Sequence, residues 1–263
     1  MRLPRLERAP AAVLVLAGLG AVFFLLPLLG LLVRAPWPDA VADLTSSANL
    51  VALQLSLFTS ICATAIAVVF GVPLAWVNAR LRFPGRDLLR ALVTLPMVLP
   101  PVVGGVALLL AFGRRGLLGA WLAGIGIHLP FTTAGAVLAE TFVAMPFLVV
   151  TVEAGFRSLD TRYEDAARSL GGGRWYVLRR VTLPLALPSL LAGAVLCWAR
   201  ALGEFGATIT FAGNFPGKTQ TLPLAVYLEL ETSPDAAIML SLALLVVSLL
   251  VLVGLRDRWL GTP

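Results

Sequence analysis

Residues Asp160 to Pro188 read DTRYEDAARSLGGGRWYVLRRVTLPLALP, the longest strongly polar stretch of a chain that is otherwise mostly apolar. Thr161-Arg162-Tyr163-Glu164 fits a capping box, and Asp160 just upstream is also able to cap. Tyr163, Ala166, Ala167 and Leu170 then recur at i, i+3, i+4 and i+7, which draws one narrow face on a short helix. Two alanines at its centre leave room for the backbone of another protein. Gly171-Gly172-Gly173 stops the helix, because glycine takes the left-handed conformation that ends one. A second amphipathic piece, Trp175 to Val181, leads to Leu183-Pro184, where Pro184 suits the first turn of a further helix. Two readings fit this stretch: a docking surface, or a solvated loop whose short helices lie on lipid headgroups.

The surrounding chain decides what the stretch belongs to. Of 263 residues, 59% are hydrophobic and only 13% charged, against about 25% charged in soluble domains. An integral membrane protein follows. The net charge of +6 does not point to nucleic acid, because the basic residues stand at the ends of apolar runs. Cys62 and Cys197 lie inside such runs and read as small hydrophobes without a disulfide framework. His128 is the sole histidine, and no metal-ligand spacing is present.

A helix needs roughly 20 apolar residues to cross a bilayer, and six stretches qualify: about 11–33, 50–77, 91–112, 133–152, 184–211 and 236–255. The expected organisation is all-α, one transmembrane domain over 1–263, with core spans within 50–255 and a polar loop over 157–183. Arg2, Arg5 and Arg8 before the first run resemble the basic end of a signal peptide. Its apolar region exceeds the 7–15 residues of a signal, so an uncleaved span is expected. Pro73 and Pro146 are expected to kink the second and fourth spans. The third contains Pro96, Pro100 and Pro101, which no straight helix accommodates. It reads either as a broken, pathway-lining helix or as a helix that starts at the membrane surface. Between the last two spans, a short helix is expected around Pro223 to Glu231.

Lys and Arg set orientation. Fifteen fall on the side of the two termini and the 157–183 loop, against four on the other side, with Arg200 inside a span. Both termini and the Asp160–Pro188 stretch are therefore expected in the cytoplasm.

A cytoplasmic loop of this composition on a six-span protein resembles the coupling loop of ABC-type importer permeases. Their motif is Glu-Ala-Ala, three residues, Gly, nine residues, Ile, one residue, Leu-Pro. Asp165-Ala166-Ala167, Gly171, Val181, Leu183 and Pro184 match it at every spacing, with Asp for Glu and Val for Ile; Glu164 is adjacent. The resemblance implies a type I ABC importer permease fold whose coupling helix docks on an ATPase subunit, through Glu164, Asp165, Ala166, Ala167, Leu170, Gly171, Val181, Leu183 and Pro184. It also implies a homodimer, two cytoplasmic ATPase subunits that hold ATP and Mg, and an extracytoplasmic binding protein. No cofactor on this chain, no catalysis, and a bacterial inner-membrane location are implied too.

A narrower resemblance covers most of the chain. Pro96-Met97-Val98-Leu99-Pro100-Pro101 is similar to the third-span signature of molybdate permeases. So is Ala199-Arg200-Ala201-Leu202-Gly203-Glu204-Phe205-Gly206-Ala207-Thr208-Ile209-Thr210-Phe211, followed by Gly213-Asn214 and Thr221-Leu222-Pro223. Gly-Glu-Phe-Gly is shared with sulfate and tungstate permeases, so a tetrahedral oxyanion is implied, molybdate before sulfate or tungstate.

Candidate pathway residues are Pro100, Pro101, Arg200, Glu204 and Thr208. Arg200 and Glu204 stand four apart and can pair on one helix face, with Thr208 on the same stripe. An ionisable residue inside a span signals function, yet a self-neutralising packing pair fits equally. Gly203 and Gly206 would allow close packing on another helix, from this chain or a second copy. Glu140 sits in the fourth span without an evident partner.

Gly213 to Thr219 imitates a phosphate-binding loop, but only three residues separate its glycines where four are required, and Ala212 stands where the first glycine belongs. No nucleophile elbow or carboxylate pair supports an enzyme. A self-contained secondary transporter would tend to show internal repeats, and the two halves show none.

Overall fold

The computed structural model describes residues 10–259. Arg2, Arg5 and Arg8 lie outside the described residues, as do the side chains of Arg256 and Arg258. The described chain is built of helices: α1 (Ala11–Arg34), α2 (Ala40–Thr45), α3 (Ser47–Arg80), α4 (Arg86–Thr94), α5 (Pro101–Phe112), α6 (Gly119–Gly124), α7 (Thr133–Ser158), α8 (Arg162–Ser169), α9 (Arg174–Val177), α10 (Leu183–Leu202), α11 (Gly206–Phe211), α12 (Leu222–Thr232) and α13 (Pro234–Trp259). Four continuous helices are long and apolar enough to cross a membrane: α1, α3, α7 and the unbroken run Arg174–Leu202. The sixth predicted span falls within α13, whose stretch Pro234–Leu250 is apolar. The helix expected near Pro223 is α12.

The core is a packed group of α3, α7 and α10. Small residues let their backbones meet: Ala63, Ala67 and Ala75 on α3, Ala144 on α7, and Ala186 and Ala201 on α10 are all buried. Glycines complete the contact. A Cβ at Gly155 would lie 2.3 Å from Ser189 Cβ, and one at Gly193 would lie 3.0 Å from Val152 Cγ2. In lipid, where apolar faces gain little from meeting each other, such close backbone approach supplies the dispersion contact that holds helices together. By contrast α1 buries no residue in the fold.

Side-chain caps start the two central helices. Ser46 Oγ accepts from Asn49 N–H (3.4 Å) at the head of α3, and Thr132 Oγ1 accepts from Gly135 N–H (3.1 Å) at the head of α7. Pro73 and Pro146 are absorbed inside these helices, which continue through them.

The third expected span is not a straight helix. Arg86–Met97 and Pro101–Phe112 are bent by 117° about residues 98–100. Pro100 holds an extended conformation (φ −53°, ψ 130°) at the head of α5, as a residue before proline must. The helix that carries the fifth expected span extends upstream of it and stops short of its expected end. It begins at Arg174, since α9 runs into α10 through a π-helical stretch, Leu178–Thr182. Pro184 explains the widening: it lacks an N–H and its ring crowds the carbonyl one turn back, which a π-turn relieves. It ends at Leu202, where Gly203-Glu204-Phe205 breaks the chain before α11.

Candidate functional site

The polar loop and the broken membrane segments form two separate groupings. In the loop, α8 is capped by Asp160, whose Oδ1 accepts from Arg162 N–H at 2.9 Å. Thr161 makes no capping bond, so the expected capping box is not formed. The reason is Glu164, whose carboxylate turns inward instead of back along the helix. Its Oε1 accepts from Arg80 Nη2 at 3.0 Å and from Thr182 Oγ1 at 2.9 Å, and its Oε2 lies 3.5 Å from Arg168 Nη2. Glu164 is 7% exposed. This carboxylate therefore fastens α8 to the end of α3 and to the π-turn that leads into α10. Its carboxylate faces inward, away from the exposed side chains of Tyr163, Ala166 and Leu170.

That outer face is uncovered. Tyr163 is 60% and Leu170 90% exposed, with Ala166 exposed and Ala167 half-buried between them. Gly171 (φ +87°) ends the helix in the left-handed conformation. Gly172 N–H donates to Ala167 carbonyl and Gly171 N–H to Arg168 carbonyl, both at 2.9 Å, the double closure of a Schellman turn. Beside the face lies a groove of about 490 Å³ lined by Ala167, Leu170, Gly171, Tyr176 and Val181. Asp165 stays at the surface and pairs with Arg168 (2.9 Å). Leu183 packs on the α3–α7 core, and Pro184 is exposed.

The membrane grouping brings together the two signature stretches. A Cβ on Gly105 would lie 2.6 Å from Thr210 Cβ, and one on Gly206 would lie 2.8 Å from Pro101 Cβ. Pro101 and Gly105 are one turn apart on α5, and Gly206 and Thr210 one turn apart on α11. Each helix thus offers one glycine to the other's bulkier residue. Gly206 packs within its own chain, and Gly203 has no close neighbour outside its own helix. Pro100 and Pro101 remain exposed at the bend.

Arg200 Nη2 and Glu204 Oε2 pair at 2.5 Å. Glu204 Oε1 also accepts from Ala207 N–H at 2.7 Å and so ties the broken segment to the start of α11. Because α10 stops at Leu202, Thr208 does not continue a helical stripe with Arg200 and Glu204. It is fully buried, and its hydroxyl has no partner among the described residues. Glu140 has one: Thr59 Oγ1 on α3 donates to its Oε1 at 2.8 Å.

Several residues that hold these groupings lie outside the candidates that the sequence points to. Arg80 anchors Glu164. Arg86 donates to the carbonyl of Asn78 and caps the end of α3. Glu153, buried in α7, is 2.6 Å from Arg157 and 3.5 Å from Arg90 of α4. Ser56 accepts from Leu222 N–H at 2.5 Å and seats α12 on α3. Glu153–Arg157 is an i,i+4 pair that helix spacing could have flagged; the other contacts join residues beyond helix-neighbour spacing. No cluster of potential metal ligands occurs among the described residues.

An exposed short helix fastened to the ends of two apolar helices, in a chain with several helices of membrane-crossing length, fits a multi-pass membrane protein. Residues 67–261 match the family model of the binding-protein-dependent transport system inner membrane component, and the chain belongs to that family. It is 49% identical over 239 residues to the molybdenum transport system permease protein ModB of Mycobacterium tuberculosis, covering 91% of this chain and 90% of that one. It is 37% identical over 239 residues to the sulfate transport system permease protein CysT of Escherichia coli, covering 89% and 86%. Among solved structures, a bacterial alginate ABC transporter in complex with an alginate-bound periplasmic protein superposes with a TM-score of 0.74 at 19% identity, over 96% of this chain and 94% of that one. As in other permease subunits, the chain itself is not catalytic.

Proposed function

We propose that this chain pairs with a second copy of itself to form the pathway of an ATP-driven importer of a tetrahedral oxyanion, molybdate in the first place. Two cytoplasmic ATPase subunits, which hold ATP and Mg, seat the outer face of α8, and an extracytoplasmic binding protein delivers the anion. Both termini lie in the cytoplasm, as the fifteen-to-four distribution of Lys and Arg supports. The observation that carries the reading is the two-sidedness of α8. Glu164 is locked to α3 and the head of α10, while Tyr163, Ala166, Ala167 and Leu170 are left facing outward. Closure of the ATPase pair would move α8, and through Glu164 the two spanning helices, from one access state to the other. The exposed bend at Pro100-Pro101 and the Arg200–Glu204 corner belong to the pathway side. The greater likeness to the molybdenum permease than to the sulfate permease supports molybdate.

The test is ATP-dependent uptake of radiolabelled molybdate into vesicles that hold this chain, its ATPase and its binding protein, with sulfate and tungstate as competitors. Ala167→Arg is expected to abolish uptake while the permease still inserts and dimerises. Undiminished uptake in that variant would remove the docking assignment. Transport of sulfate alone would keep the importer and remove molybdate.

A further inference from the structure

Beneath α8, on the side away from the uncovered face, lies a cleft of about 1190 Å³. Six guanidinium groups line it: Arg80, Arg82, Arg86, Arg157, Arg168 and Arg174; its carboxylates are Glu164 and Asp165. Four of the arginines are engaged. Arg80 and Arg168 serve Glu164 and Asp165, Arg157 pairs with Glu153, and Arg86 donates to the Asn78 carbonyl. Arg82 and Arg174 have no hydrogen-bond or ion-pair partner among the described residues. They come from different segments: Arg82 from the α3–α4 connection, Arg174 from the first turn of α9. A concave surface with a surplus of one sign concentrates the opposite charge. Guanidinium forks match the oxygen geometry of phosphate-like groups better than any other side chain.

We infer that this cleft is a binding site for a tetrahedral oxyanion group, held between Arg82 and Arg174 and separate from the transport pathway. Two sources present the same chemistry. One is the phosphate of an acidic lipid headgroup: Trp76 and Trp175 stand in the wall of the cleft, and indole rings favour the headgroup level of a membrane. The other is a free oxyanion in solution. Either ligand joins the α3–α4 connection to the start of α9 and braces the base of the docking helix. The inference rests on the cleft and not on which anion is transported.

The experiment uses the purified full-length chain in two arms. In phosphatidylcholine nanodiscs, molybdate, sulfate and inorganic phosphate are titrated by calorimetry at low ionic strength. In parallel, native mass spectrometry reads retained phosphatidylglycerol or cardiolipin from cell membranes. The double variant Arg82→Gln/Arg174→Gln removes two charges without breaking an ion pair; Arg114→Gln/Arg115→Gln, an exposed pair outside the cleft, is the charge-matched control. Saturable binding in the first arm identifies a free oxyanion, and a retained acidic lipid in the second identifies the headgroup. The site variant is expected to weaken that binding at least about tenfold, the usual effect of losing a charge-assisted hydrogen bond, and to speed amide exchange over 81–86 and 174–178. Binding equally lowered by both double variants, or none in either arm, overturns the inference. So does loss of ATPase co-purification in the site variant with no oxyanion bound in either arm, which would assign the cleft to an acidic segment of that subunit.

Discussion

Glu164→Ala isolates the joint between α8 and the membrane helices. The wild-type carboxylate meets Arg80 at 3.0 Å and Thr182 at 2.9 Å, with side-chain exposures of 15% for Arg80 and 9% for Glu164. Removing one member of a buried pair costs about 3–5 kcal/mol, because the other charge stays buried without compensation. Arg80 keeps some contact with solvent, so the lower end of that range, about 3 kcal/mol, is expected here. Since about 1.4 kcal/mol corresponds to tenfold in population, the detached state of α8 should rise about 100-fold. Hydrogen–deuterium exchange with peptide resolution over 162–172 reads this population directly, with α7 amides as the internal reference. Glu164→Gln keeps an acceptor for Thr182 and should give an intermediate rise. A change below about threefold in α8, or an equal change in α7, would refute the joint: the first because the contact carries no energy, the second because the substitution loosens the whole fold.

Two further substitutions test the packing. Gly155→Ala places a Cβ 2.3 Å from Ser189 Cβ, and the overpacking should cost about 1–3 kcal/mol; the melting temperature in detergent should fall, and Ser189→Gly in the same chain should restore most of it. Thr59→Val removes the hydroxyl that donates to Glu140 inside the membrane core. It should cost about 1–3 kcal/mol by the same thermal assay, whereas Thr59→Ser keeps the donor and should be near neutral.

The helical content, the outer face of α8 and its glycine stop were legible because each depends on neighbours in sequence. The spacing of Tyr163, Ala166, Ala167 and Leu170 needs no partner to define a face, and Gly171 ends a helix wherever it sits. The prolines at 96, 100 and 101 likewise announced the break that appears as a 117° bend. What failed was wherever a distant residue outbid the local pattern. Glu164 could have completed a capping box with Thr161, but Arg80, 84 positions earlier, takes its carboxylate. Thr208 could have extended the Arg200–Glu204 stripe, but Gly203 ends α10 first. The continuity of Arg174–Leu202 was hidden by Pro184, which reads as a helix start and is accommodated instead by a π-turn.

If α8 seats an ATPase as proposed, the inward turn of Glu164 would make it a better transmitter than a helix with both faces free. A helix held only by its termini could be displaced without moving the membrane segments, since two flexible connections would absorb the motion. Here the carboxylate is shared between a guanidinium at the end of α3 and a hydroxyl in the π-turn before α10. Those two helices, with α7, form the closely packed core, where glycine and alanine contacts leave little room for independent sliding. A push on the outer face of α8 therefore reaches the core at two points at once. Close-packed interiors respond to such a push by moving as units, not by deforming gradually. The same packing links α7 to α5 and α11 through Leu108, Ala139, Val143, Ala207 and Phe211. The bend at Pro100-Pro101 and the broken segment at Glu204 are thus mechanically continuous with α8 through α7 and the packed core.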